Sequence, residues 1–190
     1  MNSVKISDIT KSVLEDLNKT IVVLDVETTG FHRQRDRIIE FGAIKLSGGN
    51  IVDKMSILIN PGFPIPYTAS RVNNIFDDMV ADREQESFYL SDIYNFLKDA
   101  LIIVGHNISF DLDFIEEMFR RNGYEFKCSC LDTLDFARVL YNSPNYKLGT
   151  LAEYLGIEVT DAHRALADVE TTVMLLRFIC YDYVKRGLIR

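Results

Sequence analysis

The chain has 190 residues, 47% of them hydrophobic and 26% charged, which suits one globular domain with a real core and argues against disordered, collagenous and low-complexity classes. Lys and Arg number 21 against 28 Asp and Glu, a formal net charge of −7, which argues against a broad basic face for duplex DNA but leaves room for a narrow groove holding one strand end. Three cysteines without a paired zinc spacing, no signal-like apolar run and no stretch near the ~20 apolar residues of a membrane helix point to a soluble, cytoplasmic protein with no membrane partner.

Ile6, Ile9, Val13, Leu14 and Leu17 recur at helical spacing and predict a helix over roughly 6–18, inside an N-terminal extension of residues 1–20. The continuous run IVVLDV (21–26) reads as a strand buried on both faces. Residues 37–46 and 51–59 are two more strands, and SGGN between them is hairpin turn chemistry. NPGFPIPYT reads as an ordered extended loop, and helices follow at TASRVNNIF and 87–99. LIIVGH (101–106) is a fourth strand, and the helix over 108–123 ends in Gly123. EFKCSCLDT is a fifth strand, on which Cys128 and Cys130 share a face as packing residues. It leads into the helix DTLDFARVLY, a short helix at 148–155 and a long one from about 163 to 184. Three strands followed by alternating helices and strands predict an α/β, three-layer fold over 21–190, with a mixed five-stranded sheet flanked by helices.

Three short segments carry the chemistry. Asp25 and Glu27 stand two apart at the end of the first buried strand, so both carboxylates share a face. Burying two unpaired acids costs several kcal/mol or more, and a divalent cation relieves that cost. Oxygen ligands favour Mg²⁺ or Mn²⁺ over zinc. A turn-capping or solvated acid pair is the alternative. The second segment is Gly105-His106-Asn107-Ile108-Ser109-Phe110-Asp111. Asn107 reads as an N-cap, with Asp111 one turn on. Asp111 reaches the edge that carries Asp25 if the two strands are parallel neighbours. The third is Asp161-Ala162-His163-Arg164-Ala165-Leu166-Ala167-Asp168. His163 and Asp168 are five apart and would not share one face of a regular helix. His163 is therefore placed at or before the helix start, with Thr160 or Asp161 as cap. Small residues around Asp168 allow close backbone approach. Together these residues fit two-metal hydrolysis of a phosphodiester: Asp25, Glu27 and Asp168 hold the metals, Asp111 completes a shell, and His163 is the general base.

LDVETTGF, GHNISFD and HRALAD resemble the three motifs of the DEDDh, or DnaQ-like, 3′–5′ exonucleases. That family includes the proofreading epsilon subunit of bacterial DNA polymerase III, RNase T and oligoribonuclease. RIIEFGAIKL, NPGFPIP, CLDTLDFAR and NYKLGTLAEYLGI extend the resemblance over roughly residues 20–184. It implies an RNase H-like fold, two divalent ions (Mg²⁺ or Mn²⁺), and single-stranded 3′ ends as substrate, with DNA favoured slightly over RNA. It further implies that Thr28, Thr29 and Gly30 hold the terminal nucleotide and that Phe31 wedges beside its base. Phe110 is a second stacking candidate, and His106 and Asn107 shape the site. Arg33, Arg35, Arg37, Arg71 and Lys147 are candidate phosphate contacts. Asn73-Asn74-Ile75-Phe76 departs from the family pattern in the helix after the proline-rich loop. The chain ends soon after the third motif, which favours a freestanding nuclease over a polymerase subunit. A polymerase or homodimer partner remains the alternative.

Overall fold

Valine and isoleucine run through Thr20–Thr28, and that β-branched stretch forms a central strand of the sheet. The computed structural model describes residues 4–159 and 164–189. The described strands are β1 (Val4–Ile6), β2 (Thr20–Thr28), β3 (Ile38–Ser47), β4 (Asn50–Leu58), β5 (Ile102–Gly105) and β6 (Ser129–Asp132). They lie in the order β1-β6-β5-β2-β3-β4. β3 is antiparallel to both of its neighbours, whereas β1, β6, β5 and β2 pair in parallel. The sheet is mixed, as predicted, but has six strands rather than five. The added strand is β1, which lies in the N-terminal extension, where the sequence predicts a helix over roughly 6–18 and no strand. Three residues are too few to display a period-two pattern, and the parallel pairing of β1 with β6 is a tertiary contact. The following helix, α1 (Lys11–Leu17), is correspondingly shorter than predicted and starts where the Thr10 side chain accepts the Val13 N–H.

The predicted hairpin turn is present. Ser47 faces Asn50, and Gly48 and Gly49 both take positive φ, at 57° and 75°, as a two-residue turn of this kind demands. The remaining helices are α2 (Tyr67–Asn73), α3 (Asp77–Val80), α4 (Glu86–Leu97), α5 (Ser109–Arg121), α6 (Thr133–Leu140), α7 (Leu148–Leu155) and α8 (Ala165–Lys185). None of the helices among the described residues is long and apolar enough to cross a membrane.

Period two divides the core into two layers. Ile21 and Val23 of β2, with Ile44, Ile102 and Val104, pack under α6 and α8. Val22, Leu24 and Val26, with Phe41 and Ile103, pack under α4 and α5 on the opposite face. Asp25 and Glu27 continue the first series, so both belong to the face covered by α8. Gly42 sets how closely α8 can approach. It pairs with Asp25 across the β2–β3 ladder, and a Cβ there would stand 2.5 Å from the Ala165 carbonyl carbon. Of the small residues expected around Asp168, Ala165 makes this approach, and Gly42 on the strand, which the sequence reading did not single out, makes room for it.

Candidate active site

The parallel pairing of β2 with β5 brings the ends of both strands to one edge, as the first two motifs require. β2 supplies Asp25 and Glu27, and the first turn of α8 supplies Asp168. One carboxylate oxygen from each of these three lies within 4.8 Å of the others. Asp111 arrives from the other face of the sheet, in the first turn of α5, and is buried. Its Oδ1 accepts the Val26 N–H at 3.0 Å, between the two β2 acids in sequence. Of the five motif residues, the structure brings four acids to one place. His163 lies outside the described residues, as do Thr160 and Asp161.

The crowding is visible in the proton affinities. Burial, followed by repulsion from Asp111, Glu27 and Asp168, raises Asp25 well above the ordinary carboxylate range. Burial and the charge of Asp168 push Glu27 up to about 8. Asp111 is raised by burial, partly opposed by the Val26 N–H that it accepts. These carboxylates disfavour one another at neutral pH. Convergent oxygen atoms with excess negative charge fit a hard divalent cation of the Mg²⁺ or Mn²⁺ type.

Glu40 and Arg164 frame this cluster, and sequence reasoning assigned neither a role. Glu40 pairs with Glu27 across the ladder and is only 1% exposed. Its Oε1 accepts from Arg164 Nη2 at 2.7 Å, and its Oε2 accepts the Ala165 N–H at 3.0 Å. The start of α8 is thus capped from a neighbouring strand, while its own N-cap residue, Arg164, makes no side-chain cap bond. A lone acid inside the apolar run IIEFGAI was the available signal.

Asn107 is not an N-cap. It takes a left-handed φ of 64°, its N–H donates to Asp132 Oδ1 at 2.8 Å, and Ile108 precedes the helix. Asp132, at the end of the neighbouring strand β6, thus holds the Asn107 backbone ahead of a helix start that no side chain caps. Asn107 remains exposed at the site edge. His106 is half-buried, with Nδ1 2.9 Å from Thr133 Oγ1 and Nε2 2.7 Å from the Tyr146 carbonyl oxygen. Burial lowers its pKa. The ring ties the end of β5 to the loop ahead of α7.

The loop after β2 is held by Asp36. Thr29 and the His32 N–H both donate to that carboxylate, while Thr28 Oγ1 donates to the Gly30 carbonyl at 2.7 Å. A Cβ on Gly30 would stand 2.5 Å from Asp36 Oδ2, so a side chain here would displace the carboxylate that holds the loop. Beyond it Phe31 is 86% exposed, with its ring centroid 6.2 Å from that of Phe110. Phe110 leans in turn on Phe114. The two rings flank a cleft of about 220 Å³ that Thr29, Gly30, Val72 and Asn73 also line, and Glu27 stands in its wall. Asn73 is buried and its amide donates to the Thr28 carbonyl, so the departure from the family pattern in α2 still contributes to this cleft. Of the five basic candidates, Arg33 pairs with Asp113, and Arg37 donates to the carbonyls of Arg35 and Asp36. Arg35, Arg71 and Lys147 are exposed.

A mixed sheet with two acids at the carboxyl end of β2, joined by one acid from each of two helices, has the RNase H-like nuclease fold. Comparison with known proteins specifies the family. The RNase T family model, described as exonuclease, matches residues 22–176. The chain is 40% identical over 166 residues to the PolC-type DNA polymerase III of Pediococcus pentosaceus, covering 86% of this chain and 11% of that protein. It is 36% identical over 173 residues to the Bacillus subtilis counterpart, covering 90% of this chain and 12% of that protein. The chain therefore spans about one ninth of these relatives' length. Among solved structures, E. coli exonuclease I in complex with a dT13 oligonucleotide shares the fold, with a TM-score of 0.80 and 24% identity over 89% of this chain and 42% of that one. Exonuclease X in complex with 5′ overhanging duplex DNA matches with a TM-score of 0.68 and 29% identity, over 85% of this chain and 91% of that one. The chain belongs to the DnaQ-like 3′–5′ exonuclease family.

Proposed function

We propose that the chain hydrolyses the terminal phosphodiester at the 3′ end of single-stranded nucleic acid, with DNA favoured over RNA, and releases nucleoside 5′-monophosphates. The observation that carries this reading is the convergence of Asp25, Glu27 and Asp168 oxygens within 4.8 Å beside a cleft walled by the exposed Phe31 and the half-buried Phe110. Asp25, Glu27 and Asp168 would hold two divalent cations, with Asp111 adjoining them. Bound cations would polarise the phosphate and lower the pKa of water at the site. His163 takes the proton of the attacking water at a ring nitrogen. A new oxygen–phosphorus bond forms, the bond to the 3′ oxygen of the preceding nucleotide breaks, and that oxygen leaves with the shortened strand. Phe31 and Phe110 stack on the terminal base, a contact worth about 1–3 kcal/mol per base. The loop at Thr28, Thr29 and Gly30 holds the terminal nucleotide, while Asn107 and the His106 strap shape the entrance.

A gel time course on matched 5′-labelled DNA and RNA oligomers tests the reading. The expected result is a descending ladder that requires Mg²⁺ or Mn²⁺ and disappears with EDTA. Loss of label without a ladder, or cleavage unaffected by EDTA, would reject it. A faster RNA ladder would move the substrate to exoribonuclease type. Likeness to PolC-type polymerases supports a second reading, in which the domain proofreads for a polymerase. Preferential removal of a mismatched primer terminus in the presence of a replicative polymerase is its signature.

A further inference from the structure

Phe31 is poorly held by its own contacts. Its ring is 86% exposed and meets Phe110 at 6.2 Å between centroids. A side chain that is ordered only when a base arrives gives up part of the stacking energy to that ordering, so its worth depends on how far the backbone is fixed beforehand. The loop that carries it is fixed from inside. Its two ends close on each other: the Thr29 N–H donates to the Arg37 carbonyl at 2.9 Å, and the Arg37 N–H donates to Thr29 Oγ1 at 3.0 Å. Half-buried Asp36 spans the enclosed residues. Its Oδ1 accepts from Thr29 Oγ1 at 3.3 Å and its Oδ2 accepts the His32 N–H at 2.8 Å, while its own N–H donates to the His32 carbonyl at 2.8 Å. Oδ2 also lies against Gly30, where a side chain would displace it. One carboxylate therefore holds the residues on both sides of Phe31. The outer part of the loop has separate anchors on α5, since Arg121 Nη1 donates to the Arg33 carbonyl at 3.0 Å and Arg33 pairs with Asp113.

We propose that Asp36 is a positioning residue that orders the Phe31 backbone before the strand end arrives, so that the ring stands ready at the cleft, and that it acts on substrate affinity through Phe31 rather than on the chemical step. The inference rests on the reading above, in which Phe31 stacks on the terminal base. Charge alone predicts the opposite sign. A carboxylate near the path of a polyanion repels it, so removing one with no positioning role would leave strand binding unchanged or make it tighter.

Steady-state cleavage of a 5′-labelled single-stranded dT oligomer by the intact chain with Mn²⁺ tests this, together with hydrogen exchange at the His32 amide. Asp36→Ala is expected to raise KM about five- to tenfold, within what the loss of one stacked base causes, while kcat changes by less than about twofold. Exchange at His32 is expected to become faster. A merely structural role would instead lower the amount of folded enzyme, and so kcat, and leave KM alone. In the Phe31→Ala background the same substitution is expected to add little to an already raised KM, because the ring it would aim is gone. If Asp36→Ala does not fold, Asp36→Glu serves. It keeps the charge, but its longer side chain cannot place both oxygens where Thr29 and His32 meet them, and it too is expected to raise KM. Unchanged KM or unchanged His32 exchange in the folded variant would overturn the proposal, as would a double variant whose KM rises by the product of the two single effects. A parent chain that does not shorten the oligomer would instead reject the function proposed above. A parent that does, with an unchanged KM in Phe31→Ala, would reject the stacking role of the ring and the role of Asp36 with it.

Discussion

Two sets of buried or half-buried carboxylates sit at the same end of this sheet, and their surroundings differ in kind. Glu40 and Asp132 are each supplied with a cation and backbone donors. Glu40 has Arg164 and the Ala165 N–H, and Asp132 has Lys5 at 3.3 Å with the N–H groups of Asn107 and Leu134. Asp25 and Glu27 instead face Asp111, Asp168 and each other, and burial and repulsion both raise their proton affinity. A buried charge that has its donors can serve as a bolt between elements. One crowded by its own kind is a standing cost to the fold, recoverable when a cation arrives. The two sets meet at Glu27 and Glu40, which pair across the β2–β3 ladder, so place in the sheet does not separate them. Their partners do.

Removing a member from each set breaks the comparison most sharply. Asp168→Ala is expected to reduce metal-dependent cleavage by about a thousandfold or more, a loss on the scale of deleting a group that stabilises transition-state charge. Thermal melting in EDTA should show no matching loss of stability, because a like charge has been removed from the cluster. Arg164→Met should do the reverse in a denaturant titration. It leaves Glu40 buried without its cation, which typically costs about 3–5 kcal/mol. Equal destabilisation by the two substitutions would erase the distinction. Phe31→Ala probes the cleft instead. An exposed ring contributes little to folding, so stability should stay within about 0.5 kcal/mol. Oligomer binding should weaken by about 1–3 kcal/mol, read as a raised KM, if the ring stacks on a base.

The acid cluster was legible because its members stand where two simple rules converge. Alternation along β2 put Asp25 and Glu27 on one face, and a strand end running into a helix put Asp111 at the same edge. Period two also divided the core into its two layers. What escaped were contacts that local pattern does not encode. β1 is three residues long and owes its place to pairing with β6. Asn107 looked like a cap, but the N–H that decides its conformation points at Asp132, 25 residues away. Glu40 stood in plain view inside an apolar strand, yet its partner lies 124 residues on. Charges inside otherwise apolar runs are therefore worth pairing across the chain before they are set aside as surface. Phe31 shows the converse: only the folded chain reveals that the ring is left in solvent beside the acids.

The smallest expected effect is a pH dependence, and its sign separates the two sets most cleanly. Glu27 has an ordinary value of 4.5 and is raised to about 8 in the folded chain. Between those values the native state keeps a proton that the unfolded chain has released, so native binds more protons and stability falls as pH rises. The penalty is absent below the unfolded value, grows through the window and is complete above about 8. Asp25 and Asp111 are raised as well and act in the same direction. In EDTA, the melting temperature is therefore expected to fall by a few degrees between about pH 5.5 and 8.5, given that ~1 kcal/mol moves a chain of this size by roughly 2–4 °C. Glu27→Gln should flatten that slope. Added Mn²⁺ should stabilise the protein more at the alkaline end, where the carboxylates are already ionised and no proton has to be displaced. A melting temperature that rises across this range in EDTA would mean that the crowded acids find compensation in the fold itself, and that the contrast with Glu40 and Asp132 does not hold.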